Sequence, residues 1–333
     1  MADCEFDVLT IGNAIVDVLS QCDERFLREQ NLTKGSMRLI DAEEAERLYG
    51  VMGPSQLVSG GCAGNTAAGV ASFGGRAAFI GKVADDDLGR FYRHDMRAMG
   101  IAYTTADLVG GPPTARSMIL ITPDSERTMN TYLGACQELH LADIDAAVVR
   151  GAAITYLEGY LWDPPKAKEA FRAASEIAHA AGRKVAITLS DSFCVDRYRD
   201  EFVGLMRGGA VDILFANYHE LMALYETSDL KTAQRLLEAD IAVAAVTLGA
   251  DGSTVWSDGR WTTVPAPPVE DDILDKTGAG DLYASGFLLG LARGASPALC
   301  AALGSLAAGE ILTHVGARPQ RSLKELAEQS GLC

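Results

Sequence analysis

A glycine-containing stretch late in the chain has the residue types of a phosphoryl-transfer site. It reads D-K-T-G-A-G-D from Asp275 to Asp281 and continues into the apolar segment Leu282 to Ala292. A glycine-rich turn that opens a helix directs free backbone N–H groups and the positive end of the helix dipole at one place, so it attracts anions. The carboxylate of Asp281 beside such a site could take the proton of an acceptor hydroxyl. The alternative is a simple helix start in which Asp281 stabilises the first turn.

Two polar residues that follow the first predicted strand could bind a hydroxylated acceptor. Asn13 and Asp17 come directly after the apolar run Phe6 to Ile11. Their even spacing in an extended chain places both side chains on one face, and a carboxylate can accept two hydrogen bonds side by side, as a vicinal diol requires. The alternative is a turn asparagine and an exposed aspartate.

A second N-terminal cluster consists of Gly60, Gly61 and Asn65. Paired glycines allow a ligand to approach backbone N–H groups closely, and an asparagine side chain both donates and accepts hydrogen bonds. A tight turn that enters a helix would have the same residues.

Two later clusters could serve a nucleotide. Asn217 and Glu220 share one helix face at i, i+3 spacing, and Mg²⁺ prefers oxygen ligands while keeping much of its water. Thr247, Gly249 and Gly252 end a buried strand and could support nucleotide phosphates. The alternatives are a helix cap for the first pair and a hairpin turn for the glycines.

The apolar pattern between these clusters alternates between short buried runs and longer amphipathic segments. The predicted strands are Ala77 to Val83, Ala152 to Leu157, Lys184 to Leu189, Val211 to Ala216 and Ile241 to Leu248, and the predicted helices are Asp87 to Met99, Pro164 to Ala181, Phe193 to Arg207, His219 to Glu226 and Leu230 to Glu238. Such alternation indicates a mostly parallel sheet with helices on both faces. Ligands bind outside the carboxyl ends of such strands, where we expect the polar clusters to lie.

Two segments, about residues 14–59 and 104–137, do not follow the alternation. The second contains a predicted hairpin, Arg116 to Thr122 and Glu126 to Leu133, around the turn Pro123-Asp124-Ser125. We expect both segments to form a small sheet over the mouth of the main one. The prediction is therefore a single domain over residues 1–333 with a small β lid.

The composition and the motifs that are missing exclude several classes of partner and enzyme. Hydrophobic residues make up 48% of the 333 residues and charged residues 22%, and the formal charge of −16 argues against a nucleic-acid polymer as partner. Seven scattered cysteines and the acidic start Met1 to Asp7 favour the cytoplasm over a secreted or membrane location. The chain lacks the motifs of a P-loop, a dinucleotide-binding turn, a zinc protease and a serine hydrolase.

Several motifs together resemble the ribokinase-like (PfkB) sugar and nucleoside kinases. D-x-x-G-A-G-D is similar to the C-terminal signature of that family, although Lys276 stands where Thr is usual. G-G-x-x-x-N, continued by F-G-G-x-x-x-x-I-G-x-V-x-D-D-x-x-G from Phe73 to Gly89, resembles the first signature. The motifs G-N-x-x-x-D, N-x-x-E and T-L-G-x-x-G also match, and the resemblance extends from Phe6 to Pro319.

The resemblance implies a fold, cofactors and roles for these residues. The fold would be a three-layer α/β/α sandwich with a small β lid, and the cofactors would be ATP and Mg²⁺, with room for a monovalent cation such as K⁺. The implied roles are a general base (Asp281), an anion hole (Gly278, Ala279, Gly280), acceptor binding (Asn13, Asp17, Gly60, Gly61, Asn65), ATP binding (Asn217, Thr247, Gly249, Gly252), Mg²⁺ binding through water (Asn217, Glu220) and a phosphate contact from the lid (Arg127).

The stretches at residues 157–161, 188–193 and 211–217 are more similar to the adenosine kinases of the family than to its sugar kinases. Apolar walls for a purine could come from four residues, Tyr160, Leu161, Trp162 and Phe193. We therefore expect phosphorylation of the 5′-hydroxyl of a purine nucleoside, with adenosine favoured, by a monomer or homodimer. The alternatives are a ribokinase- or fructokinase-type sugar kinase and, less favoured because Asp281 is intact, a non-catalytic nucleoside-binding regulator.

Overall fold

Fourteen strands are present in the computed structural model, which describes residues 4–124, 126–269 and 273–332. They are β1 (Phe6–Ile11), β2 (Ile15–Gln21), β3 (Met37–Leu39), β4 (Ser55–Gly60), β5 (Ala77–Ile80), β6 (Ala102–Tyr103), β7 (Ala115–Ile121), β8 (Arg127–Tyr132), β9 (Ala152–Glu158), β10 (Lys184–Thr188), β11 (Ile213–Asn217), β12 (Val243–Thr247), β13 (Ser253–Ser257) and β14 (Arg260–Val264).

The α-helices of the described chain fill the gaps between these strands. They are α1 (Glu24–Glu29), α2 (Ala42–Val51), α3 (Cys62–Ser72), α4 (Asp87–Ala98), α5 (Ala146–Gly151), α6 (Pro165–Ala180), α7 (Ser192–Arg207), α8 (Tyr218–Tyr225), α9 (Leu230–Asp240), α10 (Ala279–Ala292), α11 (Pro297–Ile311) and α12 (Leu323–Gln329). None of the helices in the described part of the chain combines the length and the apolar character that a bilayer crossing requires.

Nine strands form the main sheet in the order β14-β13-β12-β11-β10-β9-β1-β5-β6. The strands from β12 to β6 pair in parallel, whereas β12–β13 and β13–β14 are antiparallel pairs at one edge. The predicted parallel sheet is confirmed. Its strands are continuous apolar runs because parallel strands are buried on both faces.

Helices cover both faces of this sheet. Successive residues of a strand point to opposite faces, and Val8 packs into one core cluster while Leu9 packs into another. The first cluster contains Phe287 of α10, which meets Phe215 of β11 with ring centroids 5.3 Å apart. The second contains Phe171 of α6. The three-layer α/β/α fold that the sequence predicts is therefore confirmed.

A second, five-stranded sheet has the order β3-β8-β7-β2-β4. It is formed by the two segments that depart from the alternation, and it packs on α1 and α2 through a small core that includes Leu27, Leu48 and Met118. Asp41 caps α2, accepting a hydrogen bond from Glu44 N at 2.8 Å. The sequence pattern predicts a small sheet from these two segments but does not identify β2 as one of its strands.

Two predictions concern residues that lie partly outside the described part of the chain. The predicted turn between β7 and β8 includes Ser125, and the acidic start of the chain includes residues 1–3, all of which lie outside the described residues. The apolar segment Leu282 to Ala292 forms most of α10, and α11 follows it.

Candidate active site

A cavity of about 900 Å³ lies where the carboxyl ends of the main-sheet strands face the second sheet. Most of the predicted site residues line it: Asn13, Asp17, Gly61, Asn65, Tyr160, Phe193, Asn217, Glu220, Thr247, Gly278, Gly280 and Asp281. The other predicted residues are outside its lining: Gly60, Ala279, Arg127, Gly249 and Gly252.

The turn before α10 has the geometry of an anion site. Gly278 is the N-cap residue in the left-handed region (φ 81°), and a Cβ there would lie 2.7 Å from the Cβ of Ala317, so both backbone and space require glycine. The buried carboxylate of Asp275 accepts hydrogen bonds from Thr277 N (3.0 Å) and Gly316 N (3.1 Å). These bonds hold the turn from which Gly278 and Gly280 line the cavity, while Ala279 N donates to Lys276 O at 3.3 Å.

Asp281 lies in the first turn of α10, half-buried at the cavity wall. Its Oδ2 accepts a hydrogen bond from Asn65 Nδ2 at 2.9 Å. Burial raises the pKa of Asp281 to about 6, and Asn65, Cys62 and the charge of Arg318 oppose that shift. A carboxylate with this pKa is mostly ionised at neutral pH, and its pKa is close enough to the surrounding pH for it to accept a proton efficiently.

Asp17 faces the same cavity from β2. Burial raises its pKa to about 7; Arg318 and Arg127 oppose the shift, and Asp281 reinforces it. Gly60 lies directly against this carboxylate, because a Cβ on residue 60 would collide with it. Gly60 thus makes room for Asp17 and does not itself line the cavity, which differs from the ligand contact that the sequence predicted.

Sequence reasoning missed Glu158, the last residue of β9, as a site residue. Its buried carboxylate accepts from Asn13 Nδ2 (2.7 Å), Asn13 N (3.2 Å) and Ala63 N (2.9 Å), and burial raises its pKa to about 7. Glu158 therefore holds Asn13 and the start of α3 together. Gly61 is required nearby because it has φ 82° and a Cβ would collide with the carbonyl oxygen of Asn13. The available signal was an acid at the end of an otherwise apolar strand.

Asn217 and Glu220 form a capping box at the start of α8. Asn217 N and Nδ2 donate to the Glu220 carboxylate at 2.9 and 2.5 Å, and Glu220 N donates back to Asn217 Oδ1 at 2.9 Å. Burial raises the pKa of Glu220 to about 7. The helix-cap alternative is thus realised, and the same pair lines the cavity. One carboxylate and one amide are a donor set that fits a Mg²⁺ ion that keeps its own water.

The three residues at and after the end of β12 that were predicted to support nucleotide phosphates have different surroundings. Thr247 lines the cavity, but Gly252 (φ 90°) belongs to a hairpin in which Leu248 N bonds Gly252 O at 2.8 Å. A Cβ at Gly252 would collide with the carbonyl oxygen of Val264, so packing alone explains this glycine. Gly249 faces open space, where a Cβ would meet no atom within 4 Å.

Part of the cavity lining is apolar and exposed to solvent. Phe193 lines it with 76% of its surface exposed, and Met37 and Leu39 of β3 are 49% and 57% exposed. Leu161 and Trp162, which the sequence suggested as walls for a purine, are instead buried in the core behind the cavity. They follow Tyr160 in a short 3₁₀ turn that points them into the sheet packing.

Arg127 of β8 does not project into the cavity. Its Nη2 lies 2.6 Å from Asp275 Oδ2, and both side chains are almost fully buried. The sequence implied that Arg127 reaches a phosphate, and this structure shows it paired with the turn before α10. Lys276, the departure from the usual signature, is exposed to solvent.

The arrangement brings a half-buried carboxylate, a glycine-rich helix start and two further polar clusters into one cavity. Asp281 stands at the helix start, Asn13 follows the central strand β1 and lines the cavity together with Asp17, and Asn217 and Thr247 lie at the ends of β11 and β12. Such an arrangement can transfer a phosphoryl group to an alcohol.

Comparisons with known proteins agree with this chemistry. The pfkB family of carbohydrate kinases matches residues 36–323. An adenosine kinase from Sinorhizobium meliloti is 56% identical, with a TM-score of 0.92 over 98% of this chain and 99% of its own. A probable sugar kinase from Rhizobium etli CFN 42 is 53% identical, with a TM-score of 0.93 over 99% of this chain and 100% of its own. The 5-dehydro-2-deoxygluconokinase of Shouchella clausii is 26% identical over 97% of this chain and 94% of its own. The chain therefore belongs to the pfkB family of carbohydrate kinases and is a phosphotransferase with an alcohol group as acceptor.

Proposed function

We propose that this kinase transfers the γ-phosphoryl group of ATP to the 5′-hydroxyl of a purine nucleoside, with adenosine as the main acceptor. The observation that carries the proposal is the exposed ring of Phe193, which lines the cavity together with the exposed Met37 and Leu39. A nucleobase needs such an apolar surface for stacking, whereas a free sugar does not. The likeness to the Sinorhizobium protein described as an adenosine kinase supports the same acceptor.

The proposed mechanism assigns the proton and the charge to separate groups. Asp281 takes the proton of the 5′-hydroxyl while the hydroxyl oxygen attacks the γ-phosphorus and the bond from that phosphorus to the ADP oxygen breaks. The backbone N–H groups at Gly278, Ala279 and Gly280 stabilise the charge on the transferred group. Asn65 keeps the Asp281 carboxylate in place through its 2.9 Å hydrogen bond.

The nucleotide would lie on the side of Asn217 and Thr247. Glu220 and Asn217 would hold Mg²⁺ through water, and the ion, when bound, neutralises phosphate charge. In the acceptor site, Asp17 would bind the two ribose hydroxyls.

We further propose that the second sheet is a lid over the acceptor. It contributes Asp17, Met37 and Leu39 to the cavity, while its own core is small. Closing this sheet on the base would exclude water from the phosphoryl group and so protect it from hydrolysis.

One observation favours a second candidate, a sugar kinase. Glu158 adds a carboxylate to the acceptor end of the cavity, and a free sugar has a polar anomeric hydroxyl where a nucleoside carries its base. The Rhizobium protein, described as a probable sugar kinase, is similar to this chain to almost the same degree as the Sinorhizobium one.

An acceptor panel distinguishes the two candidates. ADP release is measured with adenosine, guanosine, inosine, ribose and fructose, for the wild type, Phe193→Ala and Val109→Ala. Val109 is an exposed apolar residue (82%) outside the cavity lining, so its variant is the matched control. We expect adenosine to have the highest kcat/KM. Phe193→Ala should lower the nucleoside values roughly 2- to 13-fold, the equivalent of about 0.5–1.5 kcal/mol of ring contact, without changing the ribose value. A higher kcat/KM for ribose or fructose than for every nucleoside would overturn the proposal.

A further inference from the structure

Arg318, in the segment between α11 and α12, bonds the backbone of two distant elements. Its Nε donates to Ser59 O at 2.7 Å and its Nη1 donates to Gly64 O, while Nη2 lies 3.6 Å from the Met96 sulfur. In the described part of the chain, the Nε and Nη1 hydrogen bonds of Arg318 go to backbone carbonyl oxygens and not to a carboxylate. The planar guanidinium can bind two carbonyl oxygens at once, which an ammonium group does less well.

The two carbonyls lie next to residues that contact the cavity carboxylates Asp17 and Asp281. Ser59 immediately precedes Gly60, the glycine against which the Asp17 carboxylate rests. Gly64 immediately precedes Asn65, whose side chain donates to Asp281. One arginine thus holds the backbone directly behind the contacts of Asp17 and Asp281.

Arg318 is also the cation that acts most strongly on the pKa of these two carboxylates. It lowers the pKa of Asp17 and of Asp281, in each case against the larger effect of burial. The charged and titratable groups that act on these three residues are Tyr92, Asp95, Cys62, Arg127 and Asp275. Of these, only Arg127 is a second cation, and it acts on Asp17 but is paired with Asp275.

We propose that Arg318 is a positioning residue of the acceptor site: it fixes β4 and α3 behind Asp17 and Asp281, and its positive charge acts on both carboxylates. The inference rests on the proposed roles of those two residues. Arg318 itself lies outside the cavity lining and acts through the groups that it holds.

The test combines a charge-removing variant with a matched control. Arg318→Met keeps much of the side-chain volume but removes the charge and the fork. Arg93→Met is the control, since Arg93 also bonds backbone carbonyls, Thr105 O at 2.7 Å and Tyr103 O at 3.4 Å, away from the cavity. For each we would measure urea unfolding and the pH profile of kcat/KM with the best acceptor of the panel.

We expect Arg318→Met to move the acid limb of the profile upward by roughly one pH unit, because loss of a nearby positive charge raises a carboxyl pKa. The acceptor KM should rise about tenfold or more, since two charged hydrogen bonds to the site backbone are lost. Arg93→Met should lower stability without moving the limb. A folded Arg318→Met enzyme with either the wild-type limb or the wild-type KM would overturn the inference.

Arg318→Lys decides the matter if the methionine variant fails to fold. A lysine keeps the charge but cannot bond both carbonyls, so the acid limb should stay in place while the acceptor KM rises; a wild-type KM would overturn the inference. Asp281→Asn, assayed in parallel, separates this outcome from the proposed function. If Asp281→Asn is nearly inactive and Arg318→Met behaves as wild type, only the role of Arg318 fails. If Asp281→Asn remains active, the proposed mechanism fails.

Discussion

The two sides of the cavity differ in how firmly the protein holds them. On the α10 side, Asp275, Asn65 and the helix itself fix the anion turn and Asp281, and the helix packs in the largest core clusters of the described chain. On the second-sheet side, Asp17 sits in a sheet with a small core, and β3 leaves Met37 and Leu39 exposed towards the cavity. Under the proposed roles, the chemistry rests on the more extensively packed element, and acceptor recognition rests on an element with a small core, which is expected to be less stable.

The largest effect is expected on the rigid side. Asp281→Asn keeps the size and an oxygen that can accept the hydrogen bond of Asn65 but removes the proton acceptor, so turnover should fall roughly 10²- to 10⁴-fold. ATP binding and the unfolding midpoint should change little. Asp87→Asn is the matched control, because Asp87 is an acid in the first turn of another helix, far more exposed. Turnover of Asp281→Asn within threefold of the wild type would contradict the base assignment.

A smaller effect is expected across the cavity. Asp17→Ala should raise the nucleoside KM roughly 5- to 150-fold, because about 1–3 kcal/mol is lost when hydroxyl groups are left without a partner. The wild-type enzyme should likewise use 2′-deoxyadenosine poorly. Steady-state kinetics with both nucleosides measure this, and equal efficiency on adenosine and 2′-deoxyadenosine would rule out the diol contact.

The third expectation concerns the motion of the second sheet. Hydrogen exchange in β7 and β8 should slow by about tenfold or more when nucleoside binds, since that sheet is expected at the low end of local stability. Exchange in β12, buried in the main sheet, should change little. ATP alone should protect the hairpin less than nucleoside does. Unchanged exchange in β7 and β8 at saturation with a good acceptor would make the second sheet a static part of the fold.

The smallest effect follows from the raised carboxyl pKa values. Asp17, Glu158 and Glu220 are raised to about 7 and Asp281 to about 6, so the folded protein binds more protons than the unfolded chain between about pH 4 and 7. The stability that their protonation provides at low pH is therefore lost as pH rises through this window. The melting temperature without ligands should fall from pH 5.5 to 8, and less so in Asp281→Asn, which stays neutral. The same fall in both proteins would contradict the shift at Asp281.

The parallel strands of the main sheet could be predicted from local patterns because most of their residues are apolar. Strand β10 and helix α7, for example, begin and end within one residue of the prediction. Strand β2 could not, since its residues IVDVLSQ show no alternation of apolar and polar types and its register depends on pairing with β7, a hundred residues away.

The site was predictable where a residue acts by its own motif, and less so where it acts through packing. Asp281 and Asp17 lie in the cavity as their motifs indicate. A motif does not distinguish a glycine that touches a ligand from one that makes room for a neighbour, as at Gly60 and Gly252. Arg318 carries no local signal, because its partners Ser59 and Gly64 are 259 and 254 residues away in sequence.

The ion pair between Arg127 and Asp275 joins the second sheet to the turn before α10. Because both charges are buried, separating them leaves each without its partner, and that cost is several times larger than for a surface pair. The pair therefore couples the element proposed to bind the acceptor to the element proposed to perform the transfer. A phosphate that bound Arg127 would have to displace Asp275 from it, so the net affinity would equal the difference between the two interactions.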